Sequence, residues 1–106
     1  MSERDPHARR PAYDATISLP TRQIQVRYRV YAGRDPAFRA ELAHAEELLQ
    51  AGAGRQAEAL YRRLAVRAIE AWDLLGRDGQ PAPITEAVLE SVPLGALQRI
   101  IREATA

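Results

Sequence analysis

A mostly helical α+β fold, with an N-terminal β-hairpin packed on three to four helices, is the architecture this sequence predicts. Three observations carry it. Residues 13–31 alternate apolar and polar side chains with the period of a strand and break once, at Leu19–Arg22. Residues 35–73 carry apolar side chains at helical spacing, interrupted at Gly52 and Gly54. Beyond Arg77, turn residues and the prolines Pro81, Pro83 and Pro93 cut the chain into short pieces.

The 106 residues suffice for one domain with a modest core, expected over 13–106. Residues 1–12 are polar, basic and broken by Pro6 and Pro11, which predicts a flexible basic arm. In the hairpin region Tyr13, Ala15, Ile17 and Leu19 oppose Asp14, Thr16 and Ser18. Ile24, Val26, Tyr28 and Val30 then oppose Gln23, Gln25, Arg27 and Arg29. The break lacks an Asn-Gly or Asp-Gly pair, so a four-residue turn is expected. Two strands alone are marginal in water, so their apolar face must pack on helices.

The first helix is expected over 35–51. Asp35 is its N-cap, Pro36 sits where a missing N–H costs nothing, and Phe38, Leu42, Ala45 and Leu49 form its stripe. A second helix is expected over 55–73, with Ala57, Leu60, Tyr61, Leu64, Ala65, Ala68, Ile69 and Trp72 on one face. Its short connection to the first predicts an antiparallel helix pair. Glu58 can pair with Arg62 one turn on, and Arg62, Arg63 and Arg67 read as a solvated basic face. Arg77-Asp78-Gly79-Gln80 is a turn, Pro81 and Pro83 force extended backbone, and Thr85 caps a third helix over 85–91. A fourth is expected over 93–104, led by Pro93 and carrying Leu94, Leu97, Ile100 or Ile101, and Ala104. Trp72, Pro81, Pro83 and Thr85 are the expected structural anchors of this joint. A lone tryptophan at a helix end commonly reaches a carbonyl with its N–H.

Composition narrows the function classes. The net charge is +1 and there is no cysteine, hence no disulfide, thiol nucleophile or cysteine metal site. Residues 1–34 hold a balance of +4 and the rest −3, with no aromatic residue interleaved among the arm's arginines for base stacking. Nucleic acid is therefore not an expected partner. No apolar run reaches the ~20 residues of a membrane span, and the N-terminus lacks a signal-type apolar segment. No membrane association is expected. His7 and His44 lie far apart, Gly52 and Gly54 lack the context of a nucleotide loop, and Glu46-Glu47 face different directions. No catalytic residue, metal site or cofactor is expected, so the chain reads as an interaction protein and not an enzyme.

One stretch carries a resemblance. IEAWDL at 69–74, DGQPAPIT at 78–85, Leu89, Val92-Pro93, then Leu97 and Ile100-Ile101 follow in an order that resembles tail assembly chaperones of long-tailed, siphovirus-like bacteriophages. Members commonly show a Trp-Asp-Leu segment, a Gly-x-Pro-x-Pro-x-Thr segment and a Pro-led closing helix. The match spans about a third of the chain and excludes the strand region. The resemblance implies a small, largely helical, non-catalytic protein of the infected host's cytoplasm. Such a protein binds the tape-measure protein, the tail-tube protein or both, and is absent from the finished virion. A homo-oligomer is compatible with it. A client of amphipathic helices needs an apolar surface, and the expected contributors are Leu74, Leu75, Leu97, Ile100, Ile101, Tyr28 and Tyr31. Adjacent Ile100 and Ile101 cannot both face one narrow core seam, which suggests a surplus of apolar residue. The rival expectations are a structural head–tail connector or tail-completion subunit, joined through the hairpin edge, and a small regulatory protein whose basic N-terminal third touches nucleic acid.

Overall fold

The computed structural model describes residues 15–29 and 32–105. The expected arm at 1–12, together with Tyr13, Asp14, Val30 and Tyr31, lies outside the described residues.

The alternation at the start of the chain forms β1 (Ala15–Ser18) and β2 (Gln23–Tyr28), paired antiparallel with Ser18 opposite Gln23. The four residues between them turn as expected, closed by the Leu19 N–H donating to the Arg22 carbonyl at 2.7 Å. Ile17, Ile24, Val26 and Tyr28 are buried, whereas Thr16, Ser18, Gln23 and Arg29 are exposed, so one face is dry. A short 3₁₀ turn, Ala32–Arg34, leads to α1 (Pro36–Gln50). The Asp35 carboxylate accepts the Ala37 N–H at 3.0 Å and caps it. Gly52, at φ 84°, ends it as a Schellman motif: the Ala53 N–H donates to Leu48 and the Gly52 N–H to Leu49. Gly54 is not part of that stop; it opens α2 (Gly54–Ala68).

The expected helix over 55–73 is corrected here. α2 ends at Ala68, and the next residue begins a strand, β3 (Ile69–Trp72), with no loop between. β3 pairs antiparallel with the second side of β2, giving the sheet order β1-β2-β3. The reason is β2's unpaired edge. The Arg29 N–H donates to the Ala68 carbonyl at 2.8 Å, so the last residue of the helix already serves the sheet. The third strand also removes the marginality of an isolated hairpin. Tyr28 faces Ile69 but Arg27 faces Ala71, which leaves Glu70 as a β-bulge.

α2 is the centre of the molecule. α1 lies along it, α4 (Leu94–Thr105) packs on it, and the single turn α3 (Glu86–Leu89) touches it, so the expected helix pair forms and the other three α-helices surround α2 with the sheet. Ala57, Tyr61, Leu64, Ala65 and Ala68 are buried, the small residues allowing close approach. α3 is shorter than the expected 85–91 because Glu90, Ser91 and Val92 tighten into i→i+3 bonds ahead of Pro93. The 3₁₀ turn sits hard against the end of α4. A Cβ on Gly33 would run into the Ala104 carbonyl oxygen and lie 2.9 Å from the Thr105 Cα. Arg67 is not a solvated cation. It bonds Glu41 at 2.9 Å and Asp35 at 3.3 Å, stands 5.7 Å from the Phe38 ring centroid, and so ties α2 to the start of α1. Glu58 and Arg62 approach to 3.8 Å, as their spacing predicts. No helix among the described residues is long and apolar enough to cross a membrane.

Candidate partner-binding surface

The chain leaves β3 still held by β2. The Asp73 N–H donates to the Gln25 carbonyl at 3.2 Å, and its carboxylate accepts the Gln25 N–H at 2.8 Å. Arg22 reaches the same residue, 3.5 Å from its carbonyl and 3.9 Å from its carboxylate. A small ribbon follows. The Gly76 N–H donates to Gln80 at 2.7 Å, the Ala82 N–H to Leu74 at 2.8 Å, and Leu75 stands opposite Pro81 between those bonds. That position asks no N–H of residue 81, which is why a proline fits there. The tip closes by the Gly79 N–H donating to Gly76 at 3.0 Å, with Gly79 at φ 76°. This is a three-residue loop of the kind in which glycine completes a type I turn. The Asp78 carboxylate accepts the Gln80 N–H at 3.0 Å and braces it.

Trp72 clasps the ribbon to the body. Its indole is 6 % exposed, and Nε1–H donates to the Ala82 carbonyl at 2.8 Å. Thr85 then caps α3 by accepting the Val88 N–H at 3.2 Å. Pro83 is exposed, and its carbonyl accepts the Thr85 N–H.

The residues expected to meet a partner separate sharply. Leu97, Ile100 and Ile101 are at most 1 % exposed and Tyr28 is 8 % exposed; all four are core, and the expectation that they form a surface is corrected. Two adjacent isoleucines can both be buried because α4 lies in a wedge, with α2 on one side and β1 and the 3₁₀ turn on another. Tyr31 lies outside the described residues. Leu74 is half-buried against the core, and Leu75, 49 % exposed, is the exposed large apolar side chain among the described residues. Comparison with protein-family models, curated proteins and solved structures finds no match.

A second feature was not legible in the sequence. An open cleft of about 800 Å³ lies where the end of β2, the 3₁₀ turn, the α1 cap and the α2–β3 junction meet. Arg29, Arg34, Asp35, Phe38, Arg67 and Glu70 line it. These come from segments far apart in the chain, and only the unexpected third strand brings Glu70 and Arg29 to one place. Among the described residues there is no cluster of three or more His, Asp or Glu side chains placed to hold a metal ion.

Proposed function

We propose that this chain is a tail assembly chaperone of long-tailed bacteriophages, acting in the host cytoplasm without catalysis. It holds the tape-measure protein, and through it tail-tube subunits, by non-covalent contact. The observation that supports this reading is a coincidence of place. The stretch whose order of parts resembles that family is also the stretch that presents Leu75 on a braced ribbon. A ribbon stiffened by Pro81, Pro83 and the Trp72–Ala82 bond loses little conformational freedom on binding, so its leucines can grip an amphipathic helix at low entropic cost.

The test is co-expression with a tape-measure protein, followed by pull-down and a solubility assay. The wild-type chain is expected to keep that client soluble and to co-purify with it. Leu75→Asp is expected to lose the client while its own stability moves by about 0.5 kcal/mol or less, as for an exposed site. A client that precipitates regardless sinks the reading.

The sheet edges favour a second reading, a structural head–tail connector or tail-completion subunit. β1 and β3 are both edge strands among the described residues. The bulge at Glu70 blunts β3 against strand addition, which leaves β1 as the edge a ring would use. A ring formed by this protein alone, retained in purified particles, would select that reading.

A further inference from the structure

We propose that the Asp78–Gly79 bond, at the tip of the ribbon, is a site of backbone isomerisation, where aspartate converts to isoaspartate without an enzyme. The sequence narrows the chemistry to this bond. The reaction joins a side-chain carboxyl carbon to the main-chain N–H of the next residue. The chain has no asparagine and five aspartates. Asp5 and Asp35 precede proline, which has no N–H to attack with. Asp14 precedes Ala15 and Asp73 precedes Leu74, whose side chains crowd the nitrogen; Asp78 alone precedes glycine. The structure opens that bond to solvent. Arg77, Asp78, Gly79 and Gln80 are exposed, and nothing stands within 4 Å of the place a Cβ on Gly79 would take.

The step balances with water and a solvent proton. The Gly79 nitrogen attacks Asp78 Cγ, a C–N bond forms and one C–O bond breaks. The amide hydrogen leaves with that oxygen and the solvent proton as water. Water then reopens the five-membered imide. Opening at the side-chain carbonyl restores aspartate; opening at the main-chain carbonyl routes the chain through Cβ and Cγ, which adds a carbon to the main chain. The turn gates this step because both reactants are engaged in it. The Gly79 N–H donates to the Gly76 carbonyl at 3.0 Å, and the Asp78 carboxylate accepts the Gln80 N–H at 3.0 Å. Attack therefore proceeds from the opened tip. Reclosing does not reverse it, since a loop with an added carbon no longer fits the bonds of a three-residue turn. The ribbon that carries Leu75 thus loosens with age, whatever partner it meets.

The experiment is prolonged incubation of the full chain in warm neutral buffer, folded or unfolded in guanidinium chloride. Proteolysis and electron-transfer fragmentation then distinguish isoaspartate from aspartate at each position. Isoaspartate is expected at Asp78 in the folded chain, and not at Asp14 or Asp73. Unfolding is expected to speed its formation about fivefold or more, the factor that one lost hydrogen bond carries. Asp78→Glu, which would need a less favoured six-membered ring, is expected to abolish the product at that position while the chain folds as before. The isomerised chain, separated by chromatography, is expected to lose amide-exchange protection at Gly76 and Gly79 and to keep it in α2. Absence of isoaspartate at Asp78 in the folded chain overturns the proposal, as does equal conversion at Asp14 or Asp73. Equal rates in the folded and unfolded chains overturn the gate, and unchanged exchange in the isomerised chain overturns the loosening.

Discussion

Trp72 does two separate jobs, and substitutions can tell them apart. Its ring fills core beside Ile69, and its N–H holds Ala82. Trp72→Ala is expected to cost roughly 3–5 kcal/mol, a large share of the ~5–15 kcal/mol a domain possesses. Trp72→Phe keeps most of the apolar contact and loses the hydrogen bond, and about 1 kcal/mol is expected. Urea denaturation followed by far-ultraviolet circular dichroism checks both; equal losses would mean that the hydrogen bond alone matters. At this scale the sequence is readable wherever a residue acts on its neighbours. The Asp35 and Thr85 caps, the Gly52 stop and the tryptophan's search for a carbonyl each depend on a few adjacent positions. The fate of Ile100 and Ile101 does not. Whether two adjacent side chains are buried depends on how many elements surround the helix, and no local pattern records that.

Among elements, the helix stop after α1 gives a clean test. Gly52 holds φ 84° with open space where a Cβ would stand, so Gly52→Ala meets backbone strain and no clash. A loss of about 1 kcal/mol is expected, measured as a lower denaturation midpoint with an unchanged slope. A stabilised variant would mean that the turn can relax out of the left-handed region. The strand missed in the sequence has a physical explanation at this same scale. Ile69 and Trp72 are both buried although they lie three apart, because Glu70 is bulged out between them. A bulge converts the strand's period of two into an apparent three. Following directly on α2, that spacing continues the helical pattern of Ala65 and Ala68. The second strand of the hairpin, with no bulge inside its apolar run, kept its period and was legible.

For the whole molecule, the arrangement joins a packed body and a small ribbon held to it by Trp72. Core side chains from β1, β2, α1, α2, β3, α3 and α4 form one continuous cluster. The apolar residues of α4 that looked surplus are consumed there, and the candidate contact surface contracts to Leu74 and Leu75. The arginine-lined cleft belongs to this scale as well. It exists only where the hairpin's end, a helix cap and a helix-to-strand junction converge, so no run of residues announces it. Reading the chain segment by segment could recover the parts and their order, but not the places made by their meeting.

The missing loop between Ala68 and Ile69 governs how this chain can change length over descent. A residue added there would turn β3 over, exposing Ile69 and Trp72, or rotate α2 against its neighbours. The tip at Arg77–Gly79 touches none of this, and doubling its length costs only about 0.6 kcal/mol in closure entropy, beyond the loss of its own turn. Two glycines inserted after Ala68 are therefore expected to abolish cooperative melting, whereas the same pair inserted after Asp78 leaves it intact. Natural variants of this fold should accordingly gain and lose residues at the ribbon tip and keep the helix-to-strand seam at constant length.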